Sequence, residues 1–103
     1  MSRKYLFHPD AATEAFEAQD WYAERDELAS AAFAHEVDLV VRRITEAPER
    51  YPRHLHGTRR IVFPRFPFSI VYLVLGELIW IVAVAHQRRR PGYWRERLTR
   101  GAT

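Results

Sequence analysis

The residues best suited to chemistry stand at the end of the most apolar stretch of the chain. His86-Gln87-Arg88-Arg89-Arg90-Pro91-Gly92-Tyr93-Trp94 brings an imidazole, three guanidinium groups and two aromatic rings together, and Arg59 and Arg60 lie upstream. Cleavage of RNA by its own 2′-hydroxyl needs a base for that proton, a cation over the phosphate and an acid for the leaving oxygen. An imidazole titrates near neutrality, so His86 can be base or acid. Arg59, Arg60 and Arg89 can stabilise a phosphorane, and Tyr93 can stack a base or assist proton transfer. The candidate catalytic set is therefore His86, Arg89, Tyr93 and Arg60. The alternative is that His86 caps a strand by hydrogen-bonding backbone, with the arginines forming a solvated face.

The same residues can bind without reacting. Arg88–Arg90 with Tyr93 and Trp94 interleave cations and rings as single-strand nucleic-acid surfaces do. They can equally dock an acidic protein, and Trp94 can instead pack back on the core. The candidate binding set is Arg59, Arg60, Arg88, Arg89, Arg90, Tyr93 and Trp94. His54-Leu55-His56 spaces two imidazoles as metal ligands can be spaced. With no cysteine and no nearby carboxylate, a loop is the better reading. There is no glycine-rich phosphate loop, no Gly-x-Ser-x-Gly and no carboxylate-rich metal cluster, so neither cofactor nor metal is expected.

The elements that must position these residues follow from periodicity. Phe68–Leu75 and Leu78–Ala85 are two apolar β-type runs joined by Gly76-Glu77, and glycine first in a two-residue link suits a type II′ hairpin. The joint run is long enough to raise a membrane span, but Glu77 at its centre and its β-branched content argue for strands. Upstream, Arg3–His8 is a short strand. Asp10 has the position of an N-cap for a helix over Ala11 to about Asp26, with Ala12, Ala15, Phe16, Gln19, Tyr22 and Ala23 at helical spacing. Trp21 and Tyr22 read as helix packing. A second helix over Leu28–Glu46 carries Phe33, Val37, Val40, Val41 and Ile44 inward and Glu36, Asp38, Arg42 and Arg43 outward. Glu49–Gly57 is a loop, Thr58–Arg65 a strand with Ile61 and Phe63 on one side, and Tyr93–Leu98 a last helical turn.

The order β-α-α-β-β-β predicts an α+β fold. It comprises an N-terminal strand, a two-helix antiparallel hairpin, a three-stranded antiparallel meander and a short C-terminal tail or helix. The 103 residues suit a single domain spanning 1–103. The opening MSRKYLFHPDAATEAF lacks a secretory apolar segment, so a cytoplasmic location without membrane contact is expected.

Charge is divided along the chain. Residues 1–49 carry eleven acids against five bases, and residues 50–103 carry eleven arginines against Glu77 and Glu96, so a net of −6 faces a net of +9. Such a field attracts nucleic acid or an acidic partner.

Taken in order, several segments resemble the RelE/ParE superfamily of type II toxins. They are the first strand ending in HPDA, Asp20-Trp21-Tyr22, ITEAPERYP, Thr58-Arg59-Arg60, FPFSIVY and AVAHQRRRPGYW. Together they cover nearly the whole chain. The tail is similar to the ParE branch, in which a histidine at the strand end precedes an arginine-rich segment with Pro and Trp. The His-Asp-Tyr ending of some RelE relatives is replaced here by His86-Gln87-Arg88. The resemblance implies a toxin neutralised by a cognate antitoxin and acting on DNA gyrase. The RelE alternative is a ribosome-dependent endoribonuclease acting on mRNA. A third reading is a non-toxic RNA- or protein-binding module.

Overall fold

The computed structural model describes residues 3–101. The first strand, β1 (Lys4–Phe7), runs directly into α1 (Pro9–Ala23). Pro9 opens the helix with its fixed φ, and the His8 Nδ1 accepts from the Asp10 amide at 3.0 Å. The cap is thus His8, not Asp10, because proline at the first helical position starts the helix earlier than the Asp10 signal. α2 (Glu27–Glu46) is capped by Asp26, whose Oδ1 accepts from Leu28 N at 3.0 Å, and it ends before Pro48.

A loop with a 3₁₀ turn at Leu55–Gly57 leads to β2 (Arg59–Val62), β3 (Phe68–Leu75), β4 (Leu78–His86) and α3 (Arg95–Gly101). β2 stops at Val62, short of the expected Arg65, since Pro64 and Pro67 carry no N–H for a ladder. The sheet order is β1-β4-β3-β2. β2, β3 and β4 form the expected antiparallel meander, whereas β1 pairs with β4 in parallel, making the sheet mixed. No tight turn joins β1 to β4, so nothing imposes the antiparallel sense there. Leu75 pairs with Leu78 across Gly76-Glu77, and Gly76 sits at φ 60° while Glu77 stays negative, the signature of the type II′ turn.

The sheet buries both faces. Towards the helices, Phe33, Val40 and Ile44 of α2 and Ala11 and Ala18 of α1 pack on Ile61, Phe63, Ile70, Tyr72, Ile79, Ile81 and Val84. On the other face Val71, Val82 and Ala83 are covered by Trp94.

These two groupings expose a β-bulge. Tyr72 pairs with Ile81 and Val71 with Ala83, so Val82 is an extra residue, and Val82 and Ala83 both face Trp94. Beyond the bulge the alternation is reset. Val84 and His86 therefore point to the helix side, as Ile79 and Ile81 do before it.

Glu36 departs from expectation. It is 1% exposed and accepts from the amides of Arg65 and Phe66 at 3.0 and 3.2 Å, with Arg65 Nε at 3.2 Å. The proline-broken turn after β2 leaves those amides without ladder partners, and the carboxylate supplies one. Among the described residues no helix is long and apolar enough to cross a membrane.

Candidate functional site

His86 is the last residue of β4, delivered to the helix side by the bulge. Its ring stands edge-on to Phe68, 5.0 Å between centroids, and its Nδ1 accepts from the Arg88 amide at 3.0 Å. That bond occupies the Nδ1 lone pair and leaves the proton on Nε2. The Arg89 amide donates to the His86 carbonyl at 2.9 Å, which closes the turn. The Arg89 guanidinium then lies over the Tyr93 ring, 3.8 Å from its centroid.

Tyr93 is held from below. Its hydroxyl donates to Glu14 Oε2 at 2.6 Å, and burial, reinforced by the neighbouring Glu14 carboxylate, pushes its pKa well above the ordinary tyrosine value. Glu14 also receives both terminal nitrogens of Arg97 at 2.9 Å and the Val84 amide at 3.0 Å. Arg97 in turn donates to the Val82 carbonyl at 3.0 Å.

The reason lies in strand lengths. β1 ends where the His8 amide meets the Ile81 carbonyl, so β4 runs on beyond its neighbour with an open edge. Glu14 and Arg97 satisfy that edge with an acceptor and a donor, and each is only 14% exposed. An open edge would otherwise recruit another chain.

Between α1 and the end of β4 lies a cleft of about 540 Å³, lined by Trp21, Tyr22, Phe68, His86, Arg89 and Glu17 among others. Trp21 is 52% exposed, with Arg25 over its ring at 3.6 Å, so it is a cleft wall and not the helix packing expected of it.

The fold brings His86, Arg89 and Tyr93 together, with Arg88 and Arg90 in the same turn, and leaves Arg59, Arg60 and Trp94 elsewhere. Arg60 pairs opposite Val71 and so lies on the Trp94 side of the sheet, away from His86. Arg59 donates to the carbonyls of Tyr51 and Glu49 at 2.7 and 3.3 Å, holding the preceding loop. Arg88 and Arg90 are exposed. Trp94 is 2% exposed and belongs to the core, which removes it from the binding set. His54 and His56 stand against Trp94, with centroids at 5.9 and 6.0 Å. Burial, then the charges of Arg60 and His56, holds the His54 pKa below the usual histidine value. Among the described residues no group of three side chains could hold a metal ion.

Glu14 was not singled out from the sequence. Its signal there is an acid in the first turns of a helix, which the helix dipole explains. The partner that gives it a role is 79 residues away.

Residues 5–91 match the family model described as the ParE toxin of the type II toxin-antitoxin system, parDE. The chain is similar in structure to the chromosomal ParDE toxin-antitoxin system from P. aeruginosa. The TM-score is 0.72 at 17% identity, over 82% of this chain and 96% of that one. It is also similar to an arginine-to-alanine variant of the E. coli toxin RelE in the free state. There the TM-score is 0.58 at 12% identity, over 96% of this chain and 93% of that one. No curated protein matches the sequence.

Proposed function

This chain belongs to the ParE toxin family, and from that premise we propose that it inhibits DNA gyrase by binding, without nuclease chemistry. It is the toxin of a type II toxin-antitoxin pair, with a cognate antitoxin as its partner. Gyrase would be met in the cytoplasm.

One observation carries the non-nucleolytic reading: within the candidate set the His86 Nδ1 lone pair and the Tyr93 proton are already engaged, which leaves no free base, and the Arg60 cation is not at the site. The Tyr93 hydroxyl donates to Glu14, the His86 Nδ1 accepts from Arg88, and Arg60 lies on the opposite sheet face. A general base needs a free lone pair within reach of the proton it takes. The RelE-like reading would need His86 to release its Nδ1 bond, or another group to act as base.

The test is induction of the toxin without its antitoxin while DNA synthesis, translation and transcript integrity are followed. DNA synthesis should stop first with messages intact, and purified toxin should inhibit gyrase supercoiling. Prompt translation arrest with cut messages would overturn the proposal in favour of a ribosome-dependent nuclease. Normal growth would leave only the non-toxic binding module.

A further inference from the structure

The sheet face opposite the cleft gathers residues that are scattered in the sequence. Arg60 projects there from β2. His54 and His56 meet it from the preceding loop, resting on the Trp94 ring, and the Arg60 charge is felt at His54. His56 is the one non-glycine residue with positive φ, 57°, among the described residues, and Gly57 follows it at 78°. Non-glycine residues seldom take that conformation, and it marks a loop held in a set shape. The chain leaving the Arg88–Arg90 turn comes beside this loop at Gly92, two residues after Arg90, where a side chain would meet Leu55 and His56 at 3.5 and 3.8 Å. Arg60, Arg88 and Arg90 are exposed and make no ion pair among the described residues.

We propose that this face, formed by Arg60, His54 and His56 and extended by the exposed Arg88 and Arg90 of the turn that leads to it, is a contact surface for the backbone phosphates of duplex DNA. The choice of duplex over single strand follows from the aromatic residues. Single-strand surfaces need open rings on which bases stack. Here Trp94 is 2% exposed, and one face of Tyr93 is already covered by Arg89. What remains is guanidinium and imidazole, which position a phosphate backbone without reading bases. The proposal rests in part on the gyrase reading, since gyrase is an enzyme that holds duplex DNA.

The experiment is fluorescence anisotropy of the full-length toxin with a short labelled duplex, between about 50 and 200 mM salt. Log affinity should fall linearly with log salt. Arg60→Ala with Arg90→Ala should flatten the slope by about two, one for each lost phosphate contact, and weaken binding roughly tenfold at mid-range salt. Arg42→Ala with Arg43→Ala removes the same charge from the exposed face of α2 and should leave the slope unchanged. The proposal is overturned by any of four results: no salt-dependent duplex binding, equal loss in the α2 pair, tighter binding of the single strand, or equal binding of an acidic polypeptide. All four arginines are exposed, and matching circular dichroism confirms folding. A supercoiling assay on the same preparations separates the two readings. Gyrase inhibition without duplex binding defeats this inference alone, and duplex binding without inhibition defeats the gyrase reading alone.

Discussion

Glu14→Ala is the substitution with the largest consequence for its size. Glu14 accepts four hydrogen bonds: two from Arg97, one from Tyr93 and one from the Val84 amide. Both carboxylate and guanidinium are 14% exposed, so solvent replaces little of what alanine removes. Removing one partner of a buried pair costs about 3–5 kcal/mol, because the other charge stays desolvated, and Arg97 keeps only a looser contact with the exposed Asp10 at 3.7 Å. A domain of this size holds only about 5–15 kcal/mol in total, and the loss should lower the melting temperature by about 12–25 °C. Glu14→Gln keeps an acceptor for Val84 but still takes the counter-ion from Arg97, and should cost somewhat less, about 2–4 kcal/mol. Thermal and urea unfolding followed by circular dichroism measure both. A double-mutant cycle then isolates the pair. With Arg97→Ala already present, Glu14→Ala should cost at least about 1 kcal/mol less than it does alone. If Glu14→Ala costs under about 1 kcal/mol, or the two substitutions simply add, then Glu14 does not hold the β4 edge as described.

Other expectations follow from the same contacts. Glu36→Ala leaves the amides of Arg65 and Phe66 without their acceptor and should cost about 2–4 kcal/mol in urea unfolding, with no change in the proposed gyrase inhibition. Burial raises the Tyr72 pKa to about 12, with Arg59 acting in the opposite direction and Tyr51 in the same one. The folded-state value exceeds the unfolded value near 10, so this contribution is complete below pH 10 and is lost as pH rises through about 12. Alkaline titration of tyrosinate absorbance should show unfolding in that window, and Tyr72→Phe should shift it upward. Gly76→Ala meets no atom within 4 Å yet strains a φ of 60°, so it should cost about 1 kcal/mol in thermal unfolding, and Gly76→Asn less.

Much of the fold could be read from local pattern because local physics decides it. Gly76-Glu77 between two apolar runs specified the hairpin, and the 3.6-residue stripe of Phe33, Val37, Val40 and Ile44 specified α2. Misreadings arose where a distant group sets the outcome. A carboxylate on a helix is assigned to solvent by default, yet Glu36 is buried because amides 29 and 30 residues away lack partners. The bulge at Val82 left no trace, since β4 is apolar on both faces and a slip in alternation changes nothing visible. That slip decides which side His86 faces. Arg60 and His86 therefore looked like neighbours in one site, and the register places them on opposite sides of the sheet.

The charge division also acquires a physical meaning. In the second half of the chain, among the described residues, Arg65 and Arg97 pair with carboxylates, and both reach acids of the helical hairpin. Those acids, Glu36 and Glu14, additionally accept backbone amides that the sheet leaves unpaired. The acidic half is therefore bolted to the basic half at two points, the buried Glu36 carboxylate under an exposed Arg65 and the largely buried Glu14–Arg97 pair. In both, the carboxylate completes the hydrogen bonding of irregular strand ends. The other acids on the helices, such as Glu17, Asp20 and Asp38, are exposed on the helical layer. Arg60, Arg88 and Arg90 lie on β2 and in the turn after β4, so no helix acid neutralises them. An exposed cation that stabilises nothing internally can be replaced with little loss of fold. Substitution there should change partner binding far more than stability, the reverse of what Glu14 and Glu36 should show.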